Sequence, residues 1–289
     1  MSGATLFMLI IPKLLGIAID ESLASGLSRN LFLLSCSIIL VSLIRGAFSY
    51  GQTYLAEAIS QRTAYDVRND LFQKLQSLSF GFHDRQQTGN LMSRATADVE
   101  AIRWYMSMGL IRGVSLIIMI IGVSTLLLTT HWRLGLISLI FIPPVIWRAI
   151  VMASILRRVW TQVQEETGHM TTVLQENLAS MRVVKAFGAR KYEEDKFIQR
   201  ASAVAKHSYA ATRLFASQAS LMTFAFTIAT LVILWYGGRE IAAGQLTEGQ
   251  LAMFVLYMGI LAFPVRMTGW LVNTVSRAIS AGQRIFEIL

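Results

Sequence analysis

Long apolar runs alternate along this chain with long charged stretches, and both kinds of segment keep the spacing of an α-helix. Six runs stay apolar over close to twenty residues, about the length that a helix needs to cross the hydrocarbon of a bilayer. They cover approximately residues 5–19, 31–56, 104–128, 134–156, 214–236 and 251–275. The pattern predicts an all-α membrane protein with six long transmembrane helices.

The segment 31–78 is longer than a membrane requires. It contains no proline and only two glycines, Gly46 and Gly51, so it is expected to form one helix of roughly 70 Å. Hydrocarbon is only about 30 Å thick. The first half of the segment is apolar and the second half is charged. We therefore expect a stiff helix that continues from the lipid into water.

The connections between the apolar runs alternate in length and charge. Those at 20–30, 129–133 and 237–249 are short, whereas those at 57–103 and 157–213 are long and rich in lysine and arginine. Because basic residues concentrate on the cytoplasmic side, both long connections and the C-terminus are expected there.

Each long connection has the pattern of a helical hairpin. Both lack proline, keep apolar residues at helical spacing and contain one short break, at 79–89 and at 187–190. Each hairpin should extend roughly 25–35 Å from the membrane. The aromatic residues Phe80, Phe82 and Phe187 fall at the tips and indicate a docking surface. The alternative is that they close each hairpin on itself.

Composition supports the membrane class and argues against several other functions. Hydrophobic residues make up 54% and charged residues 15% of the 289 residues, against about 25% charged in soluble domains. The net charge of +9 fits cytoplasmic loops that face anionic lipid better than it fits nucleic acid. A single cysteine, Cys36, and four scattered histidines predict neither a disulfide nor a metal site. No catalytic constellation stands out in this chain.

Four arginines interrupt the apolar runs: Arg45, Arg112, Arg148 and Arg266. An arginine that faces lipid costs about 2.5–3.5 kcal/mol on insertion scales, so these side chains are expected to face a wet cavity. There they would favour amphipathic substrates that carry an anionic group. The alternatives are snorkelling towards the interface, or pairing with Glu57 or with a backbone carbonyl.

Aromatic and methionine side chains could line the same cavity and repack around varied apolar ligands. The candidates are Tyr50, Tyr54, Trp104, Met108, Met222, Phe226, Tyr257 and Trp270. Simple packing between helices, or a place in the aromatic belt at the interface, is the alternative for each of them.

Two further patterns concern helix geometry. The prolines Pro12, Pro143, Pro144 and Pro264 interrupt the apolar runs and predict kinks, which would serve either motion or static curvature. The spacing of Arg94 and Asp98 predicts a surface ion pair within one helix.

Several short motifs, in this order and spacing, resemble the six-helix membrane domain of ATP-binding-cassette exporters of the multidrug and lipid-flippase type. The motifs are DVRNDLF at 66–72, FHDR at 82–85, TGNLMSRATADV at 88–99, QEN at 175–177, MRVVKAF at 181–187, GQLTEGQ at 244–250 and SAGQRIFE at 280–287.

The resemblance implies a domain-swapped dimer, formed with an identical or a different second subunit, around one central cavity. It also implies that the two tips are coupling helices, short helices seated on nucleotide-binding domains, near residues 80–87 and 185–192. The coupling residues would be Phe80, Phe82, His83, Asp84, Arg85, Lys185, Phe187 and Arg190. ATP and Mg would act in the full transporter, in the inner (plasma) membrane of the cell.

One departure from the family pattern is clear. The chain contains no G-x-x-x-x-G-K-[ST] phosphate-binding loop. Residues 1–289 therefore read as a transmembrane domain whose nucleotide-binding domain is expected after residue 289.

The favoured function is an ATP-driven exporter or flippase that moves amphipathic, lipid-like substrates by alternating access, as part of an ATP-hydrolysing translocase. The alternatives are a secondary transporter, an importer of the same family, and a regulatory membrane domain that gates a channel. A secondary transporter would usually show internal repeats and acidic membrane groups, which are not evident here.

Overall fold

Helices joined by short turns make up the protein in the computed structural model, which describes residues 2–25 and 29–289. No strand occurs within those residues. The helices are α1 (Ser2–Ser25), α2 (Arg29–Ser77), α3 (Phe80–Arg85), α4 (Thr88–Thr130), α5 (Trp132–Ala179), α6 (Met181–Ala186), α7 (Arg190–Ala242) and α8 (Glu248–Phe286).

Six of these helices are long and apolar enough to cross a membrane, which confirms the predicted all-α membrane fold. The short connection expected at 20–30 is occupied largely by the ends of α1 and α2, and its residues 26–28 lie outside the described part of the chain.

Helix α2 is a single helix of 49 residues, as the uninterrupted pattern predicted. A Cβ added at Gly46 or Gly51 would meet no atom within 4 Å, so neither glycine is required by packing. At 1.5 Å per residue the helix measures roughly 70 Å, more than twice the thickness of hydrocarbon.

The prolines affect the helices unequally. A one-residue break at Phe141 interrupts α5 just before Pro143 and Pro144, and another at Met267 interrupts α8 shortly after Pro264. Pro12 lies inside an unbroken α1. Proline lacks the N–H that would bond to the preceding turn, which explains why the ladder is weakened near these positions.

Helix α4 contains two π-helical turns, at Arg94–Asp98 and Tyr105–Gly109. A π-turn inserts one extra residue into a helix and rotates the side chains that follow it. Both turns lie on the part of α4 that packs against α2 and α8.

The chain divides into two compact units, one of Met1–Trp147 with Ala225–Leu289 and one of Arg148–Phe224. Helices α5 and α7 each run from one unit into the other.

In the first unit, α1 packs tightly against the start of α8. Asp20 at the end of α1 accepts hydrogen bonds from Thr247 Oγ1 at 2.7 Å and from the Gly249 amide at 2.8 Å. Thr247 and Gln250 also form a reciprocal capping box. The backbones approach closely, because a Cβ on Gly249 would lie 1.9 Å from the carbonyl oxygen of Gly16. Small residues at both positions make this contact possible.

At the other end of the first unit, the last turn of α8 is anchored between α2 and α4. Leu71, Val99 and Ile285 form the buried centre of an apolar cluster. Around it, Arg284 Nε donates to Asp98 Oδ2 at 2.8 Å, and Arg94 Nη1 donates to the Arg284 carbonyl at 2.7 Å. We call the pairs Asp98–Arg284 and Arg94–Glu287 the clamp.

The clamp corrects the predicted pair between Arg94 and Asp98. These two residues begin and end a π-turn, where the spacing of an ordinary helix does not apply. Asp98 instead pairs with Arg284 on α8, and Arg94 pairs with Glu287 immediately after it.

The second unit is a helical hairpin formed by the later part of α5, α6 and the first part of α7. Asn177 donates to Glu193 at 3.3 Å, and the Lys196 ammonium lies 3.3 Å from Glu176, so the two long helices are joined near the tip. Gly188 has a φ of 62°, a left-handed conformation that suits glycine and lets the chain reverse between α6 and α7.

Replacing Gly249 by alanine should destabilise the protein, because the new Cβ would clash with the Gly16 carbonyl. Overpacking of this kind costs about 1–3 kcal/mol. The change should appear as a lower midpoint of thermal unfolding of the purified full-length protein in detergent. The matched control is Gly259→Ala on the same helix, where a Cβ would meet nothing within 4 Å. Equal midpoints for both variants would contradict the close approach.

Candidate functional site

A cleft of about 280 Å³ opens between α4 and α8 of the first unit. Its lining is mostly apolar and includes Leu116, Met119, Phe263 and Leu271. Arg112 supplies the charge, and its guanidinium carbon lies 5.6 Å from the centre of the Trp270 ring. A guanidinium on an aromatic face keeps its N–H groups free to bind an anion at the ring edge.

A second, more polar cleft of about 380 Å³ lies between the same two helices. Its lining includes Glu100, Trp104, Asn273 and Arg277, together with Trp270, which lines both clefts. Together the two clefts combine aromatic faces with charges of both signs. They could accommodate a molecule that has an apolar body and a charged group.

These clefts bring together three of the residues predicted to line a cavity, namely Arg112, Trp104 and Trp270. Sequence order alone does not show this proximity, since Trp270 lies about 160 residues from the other two.

The remaining candidates lie elsewhere. Arg45 is partly exposed on α2 and lines neither cleft, and Arg266 donates to the Ala262 carbonyl at 3.1 Å, as the backbone alternative proposed. Tyr257 is fully buried and donates to the Leu9 carbonyl at 2.6 Å, so it packs α8 against α1. Arg148 and the buried Met222 belong to the second unit.

A polar network, not predicted from the sequence, connects α2 to α4 beside the second cleft. Glu57 accepts from Ser107 Oγ and from Arg103 Nη1, each at 2.7 Å, and Arg103 also binds Glu100. Glu57 is therefore bound to α4, and none of the four membrane arginines is among the partners found for it. The only signal in the sequence was the spacing of three between Glu100 and Arg103.

The network favours the ionised carboxylates. Hydrogen bonds from Ser107 and Gln61 hold the pKa of Glu57 below its ordinary value, and Arg103 does the same for the pKa of Glu100. Both groups therefore support the joint between α2 and α4 above their unfolded-state pKa, and this support is lost as the pH falls through their folded-state values.

At the tip of the first hairpin, the structure separates the two phenylalanines. Phe80 is 90% exposed, whereas Phe82 is partly buried and contacts the His83 ring edge-on, with 5.7 Å between centres. His83 Nε2 lies 3.0 Å from the Leu75 carbonyl, and Arg85 Nε donates to the Gly81 carbonyl at 2.9 Å. Asp84 is exposed. The contacts that close the first hairpin on itself therefore involve Phe82 and His83, whereas the Phe80 side chain remains exposed.

At the tip of the second hairpin, Phe187 is 83% exposed and follows the end of α6. The separate short helix is Met181–Ala186, several residues before the expected position at 185–192. Lys185 belongs to its last turn, and Arg190 begins α7. The left-handed Gly188 lies in the break that the pattern predicted at 187–190, so the short helix ends before the position that the resemblance implied.

A cavity of about 640 Å³ lies behind this tip, within the second unit. Its walls include Val173, Leu174, Val184 and Phe197, and Lys185, Arg190, Glu193 and Glu194 also contribute to its lining. The sequence did not indicate this space, because its walls come from three separate helices.

Comparison with known proteins adds independent information. The profile of the family described as the ABC transporter transmembrane region matches residues 3–265. An ATP-dependent lipid A-core flippase of Syntrophus aciditrophicus is 29% identical over 94% of this chain and 45% of its own length. The multidrug resistance-like ATP-binding protein MdlA of Buchnera aphidicola is 26% identical over 96% of this chain and 48% of its own.

A third relative has a different name. The mitochondrial potassium channel ATP-binding subunit of Rattus norvegicus is 29% identical over 99% of this chain and 41% of its own length. The chain spans somewhat less than half the length of each of these three relatives.

Breaking the clamp should destabilise the end of α8. Arg284→Ala would leave the buried Asp98 carboxylate without its guanidinium partner, which costs roughly 1–3 kcal/mol. Thermal unfolding of the purified full-length protein should show the loss, and adding Asp98→Asn should restore part of it by removing the uncompensated charge. Arg277→Ala, an exposed arginine on the same helix, is the control. A double variant as unstable as the sum of its single changes would argue against the pair.

Proposed function

Because the chain belongs to the family of ABC transporter transmembrane regions, we propose that it supplies the membrane pathway of an ATP-driven exporter or flippase. It is a multi-pass membrane protein whose helices continue well beyond the apolar runs. The family, and the names of relatives that cover nearly the whole chain, support this proposal. In it, ATP and Mg bind to nucleotide-binding domains that work together with this membrane domain.

The substrate we propose is an amphipathic, lipid-like molecule with an anionic group. The single observation that carries this proposal is Arg112 on the face of Trp270 in an otherwise apolar cleft. The arginine would bind the anion, and the apolar walls would contact the hydrocarbon part. Arg45, Arg148 and Arg266 stay in the proposal as groups that the substrate could meet in other conformations or in the dimer.

The partners we propose are a second transmembrane subunit and two nucleotide-binding domains. Phe80 and Phe187 support docking at the tips, since each is an aromatic side chain more than four-fifths exposed at the end of a hairpin. His83, Asp84, Arg85, Lys185 and Arg190 would supply the polar rim, with Phe82 holding the first tip in shape. The long hairpins and the C-terminus would then lie in the cytoplasm, and the membrane would be the inner (plasma) membrane.

The role of Arg112 can be tested by replacing it with alanine in the full-length protein in liposomes. ATP-dependent movement of a fluorescent anionic lipid should fall about tenfold, because a hydrogen bond to a charged group contributes roughly 1.5–3 kcal/mol. Movement of a zwitterionic lipid with the same acyl chains should change much less. The matched control is Arg133→Ala, which removes an arginine that also lies over a tryptophan ring, at 5.3 Å, but outside the clefts.

Two results would contradict the proposal. An equal loss for the anionic and zwitterionic lipids would show that Arg112 does not select charge. Movement driven by a proton gradient in the absence of ATP would favour the secondary transporter.

The docking role of the tips makes a separate prediction. Phe80→Ala and Phe187→Ala should reduce substrate-stimulated ATP hydrolysis more than basal hydrolysis, because the aromatic contact between the membrane helices and the ATPase is lost. Phe72→Ala is the matched control, since Phe72 is also exposed on the first hairpin but lies on its shaft. Stimulation that survives both tip substitutions would argue against coupling through these residues.

A second candidate function has one observation in its favour. The relative named as a mitochondrial potassium channel ATP-binding subunit is aligned over nearly the entire chain. A regulatory domain of this kind would share the long helices and the docking tips. It would change potassium flux through a partner channel and would move no lipid in the liposome assay.

A further inference from the structure

His131 occupies the turn between α4 and α5 and uses both of its ring nitrogens. Nδ1 accepts a hydrogen bond from the Leu134 amide at 3.3 Å, which makes His131 the N-cap of α5. Nε2 lies 3.6 Å from Oε2 of Glu240, near the end of α7. The side chains of His131 and Glu240 are only 12% and 11% exposed. One ring thus joins the start of α5 to α7.

The cap determines how a neutral His131 must carry its proton. A nitrogen that accepts a hydrogen bond has no hydrogen of its own, so the proton of the neutral ring is on Nε2 and points towards Glu240. Adding a second proton places it on Nδ1, which can then no longer accept from the Leu134 amide. Protonation therefore removes the cap and creates an ion pair with Glu240.

Charged groups beside the pair come from four elements. On α1, Lys13 and Asp20 line a small cavity together with Thr130, the residue before His131. Arg133 follows His131 on α5, with its guanidinium 5.3 Å from the Trp132 ring. On α7, Tyr236 hydrogen-bonds to Glu240 and also interacts with Arg133. Helix α8 contributes the apolar Leu251, which lies against Gly237, while Glu248 in its first turn is exposed. Glu240 is thus the acidic partner that His131 contacts directly.

We propose that His131 and Glu240 form a proton-sensitive joint, in which protonation of the imidazole exchanges the N-cap of α5 for an ion pair with α7. Because histidine is the side chain type that changes its charge closest to neutral pH, the joint is compared at pH 5 and at pH 8. With a neutral imidazole, the first turn of α5 is capped and the ring contacts Glu240 on α7 without a charge of its own. With a protonated imidazole, this first turn loses its cap, and the contact to α7 becomes an ion pair. This inference is independent of what, if anything, the chain transports.

The first test reads the tautomer directly. The full-length protein, labelled with ¹⁵N at histidine and placed in lipid bilayers, is measured by solid-state NMR, and His131 is assigned by the signal that His131→Asn removes. At pH 8 the ring should carry its hydrogen on Nε2, and at pH 5 on both nitrogens. A neutral ring with its hydrogen on Nδ1 at pH 8 would overturn the proposal.

The second test reads the cap by hydrogen exchange of a peptide that covers residues 130–137. After correction for the intrinsic pH dependence of exchange, the Leu134 amide should exchange about fivefold faster at pH 5 than at pH 8, in line with the cost of losing an N-cap. In His131→Asn this difference should disappear, because asparagine caps a helix well but does not titrate in this range. A pH dependence unchanged in His131→Asn would overturn the proposal.

Glu240→Gln separates the ion pair from the cap. Glutamine keeps a hydrogen-bond acceptor at the position but removes the charge that favours the imidazolium. The pH midpoint of the exchange change should therefore move to lower pH, while the protection of Leu134 at pH 8 stays as in the unsubstituted protein. A midpoint that does not move would remove Glu240 from the joint.

Discussion

The surplus of helix length over membrane thickness is the constraint on which the rest of this structure depends. Backbone polar groups have no water to bind in hydrocarbon, so a spanning segment satisfies them within its own helix. Once such a helix has formed, nothing in the sequence of α2 stops it for 49 residues. The charged half of the helix is thereby held in line with the apolar half. Displacement at the tip of the first hairpin can then reach the apolar half of α2 without being absorbed by a flexible loop.

The first unit uses different interactions at its two ends. Where α1 meets α8, close backbone contact at Gly16 and Gly249 is combined with helix capping by Asp20. Where α8 ends, an apolar cluster and the charged clamp hold it to α2 and α4. Apolar burial contributes only where water is present to be displaced, so an apolar cluster suits the end of the unit where the helices continue beyond the apolar runs. Close backbone packing of small residues does not depend on that displacement.

Placing a charged side chain in an apolar region costs free energy, and the structure offsets this cost in several ways. Arg112 faces a cleft and a tryptophan ring, while Arg266 binds a carbonyl of its own helix. Outside the apolar runs, in two of the short connections, His131 and Glu240 are nearly buried next to each other. A buried ionisable group needs a partner. The identity of that partner distinguishes a group that can bind a ligand from one that stabilises the end of a helix.

The sequence by itself determined the six helices, their great length and the positions of both hairpin tips. These properties follow from composition and from the helical spacing of apolar residues, and both can be read from a short stretch of sequence. Only the tertiary structure decided which polar groups meet. Asp98 and Arg94 pair with residues at the C-terminal end of α8, and Glu57 binds residues of α4. Tyr257 donates to the Leu9 carbonyl. The tertiary structure also decided that Arg112, Trp104 and Trp270 share one surface, whereas Arg148 and Met222 belong to another unit. A helix of this length presents side chains in every direction, and π-turns rotate them further, so the partner of each residue depends on how neighbouring helices are placed.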